Sequence, residues 1–516
     1  MARRLPHGPR LLALVALLAL PLAAGCGSAG TTATSTSPDP ASVAPADAAV
    51  YFQATVRPSG AEKAGALAAA RKVLRVRDPG AALRGLLDRI GSPGHGSYSR
   101  DVEPWLGRRV GGFLLFDGAD PRHPNFAVAA AIAGRGAFDA ALARMRKEGD
   151  ERPAGSYRGV AYERDATDST TFYAAVGDFF LGGTLAGVRA AIDAHAGTSL
   201  AGTGRYRDAA GKVPDNALAF VYADPAAILP ALAARGRITP AARRTLAAFA
   251  GAGPVVASLA ASAKRITLDA SGGLPAGAVP SGSSAQVSAG QLPGDAWLAL
   301  ATPPLGPLIK AALQGAGVHD TAAAQVRGQL GLDLDKDLLD PLGGLALFAR
   351  GTSVLDLGGG VLLQLTSASA AQLLATRLEA IAAAGLHVAP QPVTLAGARG
   401  FQLAVPQLPQ PVVVLARGDR LAAGYGAASA RDLLAPRRRF DASPAGKAAI
   451  ATLGDGYSTS FVLVVPPLAA LLRSLDELQV ARLSPALPYL AAYRSLAVGT
   501  KRDGGRIAVR VVAALR

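Results

Sequence analysis

Three alternating aspartates come nearest, among the 516 residues of this chain, to the spacing of a metal site: Asp333, Asp335 and Asp337. Their spacing resembles the start of a calcium loop, in which carboxylate oxygens bind the ion. Such a loop also needs glycine at its sixth position and an acid at its twelfth, where this chain has Leu338 and Gly344. The leucines between the aspartates instead predict an amphipathic turn, and we expect no metal here.

Residues that could catalyse a reaction are scattered along the chain. Five histidines beyond the first 26 residues stand singly, mostly beside Gly, Pro or Ala: His95, His123, His195, His319 and His387. The sequence contains no Gly-x-Ser-x-Gly elbow, Ser-x-x-Lys pair, His-Glu-x-x-His motif or phosphate-binding loop. We therefore predict that the protein is not an enzyme and carries no cofactor, and a cell-wall hydrolase is the least favoured function.

Cys26 is the only cysteine, so the chain can form neither an internal disulfide nor a Cys-x-x-Cys metal site. It follows a start with three arginines and an uncharged run of 14 residues, Leu11–Ala24. This run is shorter than the roughly 20 residues that span a bilayer. A charged start, a short apolar run and small residues before the break predict a secretory signal peptide at residues 1–25.

The sequence Ala24-Gly25-Cys26 resembles the bacterial lipoprotein box, although Ala23 stands where leucine is usual. The resemblance implies cleavage just before Cys26 and a diacylglyceryl group on its thiol. Residues 26–44 then comprise the anchor site and a tether rich in Ser, Thr, Pro, Ala and Gly, which we expect to be flexible. The predicted location is the extracytoplasmic face of the bacterial cell membrane.

Composition excludes two classes of protein. Half of the residues are hydrophobic, which rules out a wholly disordered chain and leaves ample material for a core. The net charge of +16 is spread along the chain, and aromatic residues make up only 5%. Nucleic-acid proteins concentrate basic residues in stripes, often with aromatics among them. We therefore expect no nucleic-acid partner.

Five short sequence anchors occur twice in the same order. They begin at Pro45, Asp101, Gly177, Phe220 and Ser258, and again at Pro293, Asp337, Gly418, Phe461 and Ser495. The offsets between paired anchors lie between 236 and 248 residues. The colinear set predicts two homologous halves, 45–272 and 293–516, joined by a Gly/Pro/Ser-rich linker at 273–292.

Each half alternates groups of strands with single helices. Val50–Val56 alternates like a strand, Ala61–Arg77 is rich in alanine like a helix, and the second half closes with a hairpin around Gly504-Gly505. Short turns between strands favour antiparallel pairing. The predicted fold class is α+β, in which each half has a largely antiparallel sheet with covering helices. A cleft between the halves, or a space under one sheet, is the expected ligand site.

Charged residues cluster in sequence around Trp105: Arg100, Asp101, Glu103, Arg108 and Arg109. Such a set is suited to a sugar or a lipid headgroup. The second half has Leu342 at the tryptophan position without a corresponding change in its surroundings. This comparison favours a structural role, in which Trp105 packs in the core and the charges surround it.

The opening strand motif Pro45–Ala48 and the motif Pro104-Trp105-Leu106-Gly107 resemble an exported bacterial family known as domain of unknown function 3352. The second half departs from that pattern, with Asp340-Pro341-Leu342-Gly343. The resemblance implies an exported, often lipid-anchored protein, and it supplies no activity.

Together these features predict a lipid-anchored protein that binds an amphipathic envelope component in an apolar pocket lined by Leu, Val, Ala and Phe. The alternative is a scaffold lipoprotein that recruits an envelope protein. A long apolar tunnel favours the first function, and an exposed apolar patch favours the second.

Overall fold

The computed structural model describes residues 37–91, 97–116, 124–148, 151–166, 168–234, 247, 251–273, 287–386, 388–406, 408–478, 484–503 and 505–516. The predicted signal peptide, Cys26, His95, His123 and His387 lie outside these residues. The fold is α+β with antiparallel strands, as the sequence predicts. The chain divides into two compact units, made of the described residues within Met1–Ile238, Arg243–Ala276 and Gly504–Ala508, and within Gly277–Asp503 and Val509–Arg516.

The first unit contains an antiparallel sheet. Its strands are β1 Val50–Thr55, β2 Leu106–Leu115, β3 Asn125–Ile132, β4 Glu151–Tyr157, β5 Val160–Asp165, β6 Phe172–Val176, β7 Phe179–Gly183, β8 Ala219–Ala223, β9 Val255–Ala261 and β10 Arg265–Gly273. They lie in the order β4-β5-β6-β7-β3-β2-β1-β8-β9-β10. The strand β1 is therefore central, between β2 and β8, and one of its faces lines the site described below.

The second unit contains a sheet of the same design. Its strands are β11 Leu298–Ala301, β12 Leu342–Arg350, β13 Gly358–Leu365, β14 Gln391–Leu395, β15 Ala398–Leu403, β16 Val412–Arg417, β17 Arg420–Tyr425, β18 Ser458–Val464, β19 Tyr493–Asp503 and β20 Arg506–Leu515, of which the part from Val509 belongs to this unit. Their order is β14-β15-β16-β17-β13-β12-β11-β18-β19-β20. Strand by strand, this order matches that of the first unit.

The helices also correspond in chain order. Those of the first unit are α1 Gly60–Leu74, α2 Pro79–Gly91, α3 Arg135–Glu148, α4 Leu185–Ala196, α5 Gly204–Ala210 and α6 Pro225–Ala234. Those of the second are α7 Leu305–Gly315, α8 His319–Leu330, α9 Ala368–Leu386, α10 Ala427–Leu434, α11 Pro444–Ala451, α12 Val465–Glu477 and the short α13 Leu487–Leu490. A short π-helix precedes the second strand of each unit, Tyr98–Val102 and Leu334–Leu339. A duplication would produce this correspondence of elements. That the two units descend from a common ancestor stays a prediction.

Small residues bring the helices close to the sheets. In α4, Gly187 lies against the backbone of Phe126 in β3, and Thr184 caps the helix by accepting a hydrogen bond from the Gly187 amide at 3.1 Å. In α9, Ala371 and Ala375 are buried one turn apart on the inner face. At these helices the small side chains therefore allow the helix to pack closely on the sheet.

The structure corrects the end of the predicted tether at 26–44. Pro40–Ser42 form a 3-10 helix, and Ala41, Val43 and Ala44 are fully buried in the core of the first unit. Composition alone made this segment look like a linker, because small residues suit both linkers and tightly packed cores. Only the part of the tether before residue 37 lies outside the described residues.

The predicted linker at 273–292 also ends too late. Its last residues form a 3-10 helix, Ala289–Gln291, and both Val287 and Leu292 are buried in the second unit.

The sequence does not predict strand β4, because it contains Pro153 and Gly155, and both residue types have low strand propensity. A bulge between these two residues accommodates them in the pairing with β5.

Candidate functional site

A groove of about 390 Å³ opens on one face of the first unit's sheet. Its floor comes from the three central strands. Thr55 of β1 lies opposite Arg109 of β2, and Gln53 of β1 lies opposite Phe220 of β8. Residues directly opposite in antiparallel strands project from the same face. Strand register therefore brings a guanidinium, two small polar groups and an aromatic ring together from segments far apart in sequence.

Helix α5 and the turn after it form the wall of the groove. They contribute Tyr206, Ala210, Val213 and Pro214 to the lining. Thr203 caps α5 by accepting a hydrogen bond from the Tyr206 amide at 3.3 Å, which fixes where the helix begins. The same helix and turn also contribute Arg207 and Asp215, so the wall combines apolar residues with one arginine and one aspartate.

A network of aromatic side chains supports the groove from below. The Tyr51 ring meets the Tyr206 ring edge to face, with centroids 5.6 Å apart, and also packs against Phe220. The Tyr51 hydroxyl donates a hydrogen bond to Gln53 Oε1 at 2.8 Å. Burial raises the pKa of both Tyr51 and Tyr206, although the nearby Arg109 opposes the shift. Both phenols therefore stay protonated at neutral pH and act as fixed, neutral parts of the site.

The two neighbouring arginines of β2 differ in their partners. Arg108 Nη2 lies 2.7 Å from Glu62 Oε2 of α1, so its charge is balanced by a carboxylate. Arg109 is half-buried, and no ion pair joins it to any carboxylate in the part of the chain that the structure describes. Three acidic residues (Asp39, Glu62 and Asp215) and three arginines (Arg108, Arg109 and Arg207) line the groove. Recognition of an anionic group there therefore depends on the donors of Arg109, which no ion pair occupies, and not on the net charge of the lining.

Trp105 is not part of this groove. It is 5% exposed and packs edge to face on Phe138 and Phe180, with centroids 5.2 and 5.6 Å away. Its indole nitrogen donates to the Asp101 carbonyl at 2.5 Å. The structure therefore divides the charged cluster of the sequence: Trp105 belongs to the core, while Arg108 and Arg109 line the groove.

Asp101 has a structural role beside Trp105. Its carboxylate accepts a hydrogen bond from the Ser97 amide at 2.8 Å and pairs with Arg100 and Arg144. Although burial opposes the effect, these hydrogen bonds and charges together lower the pKa of Asp101. The aspartate therefore remains ionised, and its hydrogen bond with the Ser97 amide stabilises the start of the π-helix that precedes β2.

The aspartates of the calcium-like segment bind their own backbone. Asp333 accepts hydrogen bonds from the amides of Asp335 and Lys336 at 3.1 and 3.0 Å, and Asp337 accepts one from the Asp333 amide at 2.8 Å. Leu334 is buried beneath this turn. No group of three or more His, Cys, Asp or Glu side chains in the described ranges could hold a metal ion.

Neither of the two described histidines belongs to the groove lining. His319 contacts Asp320 through Nδ1 and Asp335 through Nε2, both at 3.1 Å, and these hydrogen bonds raise its pKa. His195 is exposed in the last turn of α4. Neither histidine lines the groove, so neither is placed to act on a molecule bound there.

Within the described residues, none of the helices combines the length and hydropathy that crossing a bilayer requires. The fold and the site define an antiparallel α+β protein with a charged groove on the sheet of its first unit. The chain belongs to the family described as protein of unknown function (DUF3352), whose model matches residues 11–509. No curated protein matches the sequence.

Solved structures of TP0453 are distant neighbours. Its crystal form IV is 12% identical, with a TM-score of 0.26, over 46% of this chain and 81% of that chain. Its crystal form III is also 12% identical at a TM-score of 0.26, over 48% of this chain and 84% of that chain. A likeness at this level carries no argument about fold or function.

Proposed function

We propose that this protein is a lipid-anchored extracytoplasmic protein that binds an amphipathic molecule with an anionic group in the groove of its first unit. The observation that carries the proposal is Arg109, a half-buried guanidinium without an ion-pair partner among the described residues, which lines the groove together with Ala210, Val213 and Phe220. The anionic group binds Arg109, and the apolar part lies against Ala210, Val213 and Phe220. The groove contributes binding and no chemical step.

The size of the groove supports this function. Ligand pockets typically measure about 300–1,000 Å³, and the groove lies at the small end, with about 390 Å³. It therefore suits a headgroup with the first part of a chain rather than a whole two-chain lipid. Its mixed lining differs from the lining of Leu, Val, Ala and Phe predicted from the sequence, because the floor strands bring polar side chains to this face.

Replacement of Arg109 by glutamine tests the proposal. We expect monomeric dihexanoyl phosphatidylglycerol to bind wild-type protein with at least tenfold higher affinity than dihexanoyl phosphatidylcholine. Arg109→Gln should abolish that difference, since a hydrogen bond to a charged group contributes about 1.5–3 kcal/mol. Isothermal titration calorimetry measures both affinities.

Arg164→Gln is the matched control, because Arg164 is exposed on β5, does not line the groove and changes the net charge equally. It should bind like the wild type. Equal loss in both variants would show a general charge effect, and unchanged binding in Arg109→Gln would contradict the proposed site.

The lipid anchor is tested separately at Cys26. Cys26→Ala removes the thiol that the lipoprotein box requires, so the variant should leave the membrane fraction or accumulate uncleaved. Fractionation and intact-mass measurement distinguish these outcomes, with Ser28→Ala as a control that keeps the thiol. If the variant partitions and is processed like the wild type, the anchor is not at Cys26.

A scaffold function has one specific observation in its favour. Helix α7 exposes Leu308 and Ile309, and α9 exposes Leu373 and Ile381. Apolar side chains at the surface of helices are suited to a protein partner in the envelope. This function predicts that Leu308→Ser weakens recruitment of the partner without changing phosphatidylglycerol binding in the groove.

A further inference from the structure

One loop of the second unit holds a leucine out in solvent. The loop joins β12 to β13, and Leu355 at its tip is 91% exposed. The Asp356 carboxylate accepts hydrogen bonds from the amides of Thr352 and Ser353 at 2.6–3.1 Å, and also from both of their hydroxyls. These bonds lower the pKa of Asp356 to about 2, mainly through the Ser353 hydroxyl. The loop is therefore an ordered platform for Leu355.

A second loop lies beside the first. The Gln410 side chain, just before β16, donates a hydrogen bond to the Leu357 carbonyl at 3.4 Å. Leu408 in this second loop is 42% exposed. Residues 404–411 contain no charged side chain. Two adjacent loops thus each present a leucine to solvent.

An exposed basic run lies at the same end of the sheet. Arg350, the last residue of β12, is 3.2 Å from Asp295, and the neighbouring Gly294 amide donates to the Arg438 carbonyl at 2.8 Å. Arg437 and Arg438 are exposed, and neither is paired with a carboxylate among the described residues. This end of the sheet, called the edge below, therefore combines two protruding leucines with two exposed arginines that form no ion pair among the described residues. The Asp356 carboxylate beside Leu355 is hydrogen-bonded within its own loop.

We propose that this edge, formed by Leu355, Leu408, Arg437 and Arg438, docks the second unit onto an anionic lipid surface. The leucines enter the interfacial layer, and the arginines bind lipid phosphates. A bilayer interface accepts protruding side chains without a complementary pocket, and a negative surface attracts basic residues near it. The charge complementarity and the projecting shape favour lipid over a protein partner. The groove lies in the other unit, so either proposal can fail without the other.

Vesicle binding tests the proposal with the chain from residue 26 onward carrying Cys26→Ser, which keeps every described residue. Vesicles of phosphatidylcholine are compared with vesicles containing 30% phosphatidylglycerol. We expect at least tenfold tighter binding to the anionic vesicles by co-sedimentation. The double variant Leu355→Ser/Leu408→Ser, and the double variant Arg437→Gln/Arg438→Gln, should each reduce that affinity at least fivefold. Leu308→Ser is the control for an exposed leucine elsewhere in the second unit and should bind like its parent.

Insertion of the loop is measured directly. Because Cys26 is the only natural cysteine, Leu355→Cys in the Cys26→Ser background gives one site for an environment-sensitive dye. Its emission should shift to the blue with anionic vesicles, whereas a dye at Leu373→Cys on α9 should not respond. No vesicle binding, no effect of the leucine pair, or no dye shift at position 355 would overturn the proposal. A dye shift with envelope extract and none with pure lipid would assign this edge to a protein partner instead.

Discussion

Trp105→Ala should lower the free energy of unfolding of the first unit by about 3–5 kcal/mol. The side chain is almost completely buried and packs on Phe138 of α3 and Phe180 of β7, so alanine leaves a cavity beside both rings. The variant also removes the indole donor to the Asp101 carbonyl. Urea denaturation followed by circular dichroism measures this loss as a lower urea concentration at the midpoint of the first unit's unfolding transition.

Trp105→Phe separates the two causes, because phenylalanine keeps most of the ring volume and loses only the hydrogen bond. It should cost about 1–2 kcal/mol, close to the value of one buried hydrogen bond with some repacking. Leu355→Ala, at a leucine that is 91% exposed, is the surface control and should lie within about 0.5 kcal/mol of the wild type. If Trp105→Ala also stays within that range, the tryptophan is not a core residue and a binding role for it must be reconsidered.

Gly187→Ala should destabilise the first unit by about 3 kcal/mol, although glycine-to-alanine changes within helices normally stabilise by up to about 1 kcal/mol. A Cβ atom on Gly187 would overlap the carbonyl oxygen of Phe126 in β3. That oxygen belongs to the backbone and also accepts a hydrogen bond from the Thr184 amide at 3.0 Å, so it cannot rotate away. Helix α4 must therefore move off the sheet. Thermal unfolding measured by calorimetry reports the change.

Gly85→Ala in α2 is the matched control, because a Cβ atom at Gly85 meets no heavy atom within 4 Å. This variant should be stabilised by about 0.5–1 kcal/mol. Opposite signs for the two substitutions are the expected result. A stabilised Gly187→Ala would show that α4 does not pack on β3 as closely as the structure has it.

The sequence predicted those elements whose pattern is local. Alternation in β1, the alanine-rich run of α1 and the turn of the closing hairpin each depend on neighbouring residues, and all three form near the predicted places. The α+β class follows from local patterns of this kind, and the family resemblance follows from the short motifs Pro45–Ala48 and Pro104-Trp105-Leu106-Gly107. Strand β4 was missed because Pro153 and Gly155 have low strand propensity, and pairing with β5 outweighs it.

The groove could not be predicted because it is created by pairing between distant segments. The sequence places Arg109 near Trp105, yet in the fold Arg109 lies opposite Thr55 and lines the groove with Phe220. No pattern within a window of the chain indicates which strands will be adjacent. Arg109 also lacks an ion pair because Glu62 of α1 pairs with Arg108 and not with Arg109. Sequence reasoning therefore found the residue and assigned it to the wrong surroundings.

The buried entry of the chain at Pro40 also determines how the first unit bears mechanical load. Pro45 forms a bridge with Ser199, and the Leu200 amide donates to the Ala44 carbonyl at 2.7 Å. Tension on the N-terminal segment therefore acts first on these two contacts and on the packing of Ala41 and Val43. Force applied through the N-terminus would break these two contacts before the force acts on β1, so we expect them to rupture first and the sheet to unfold later.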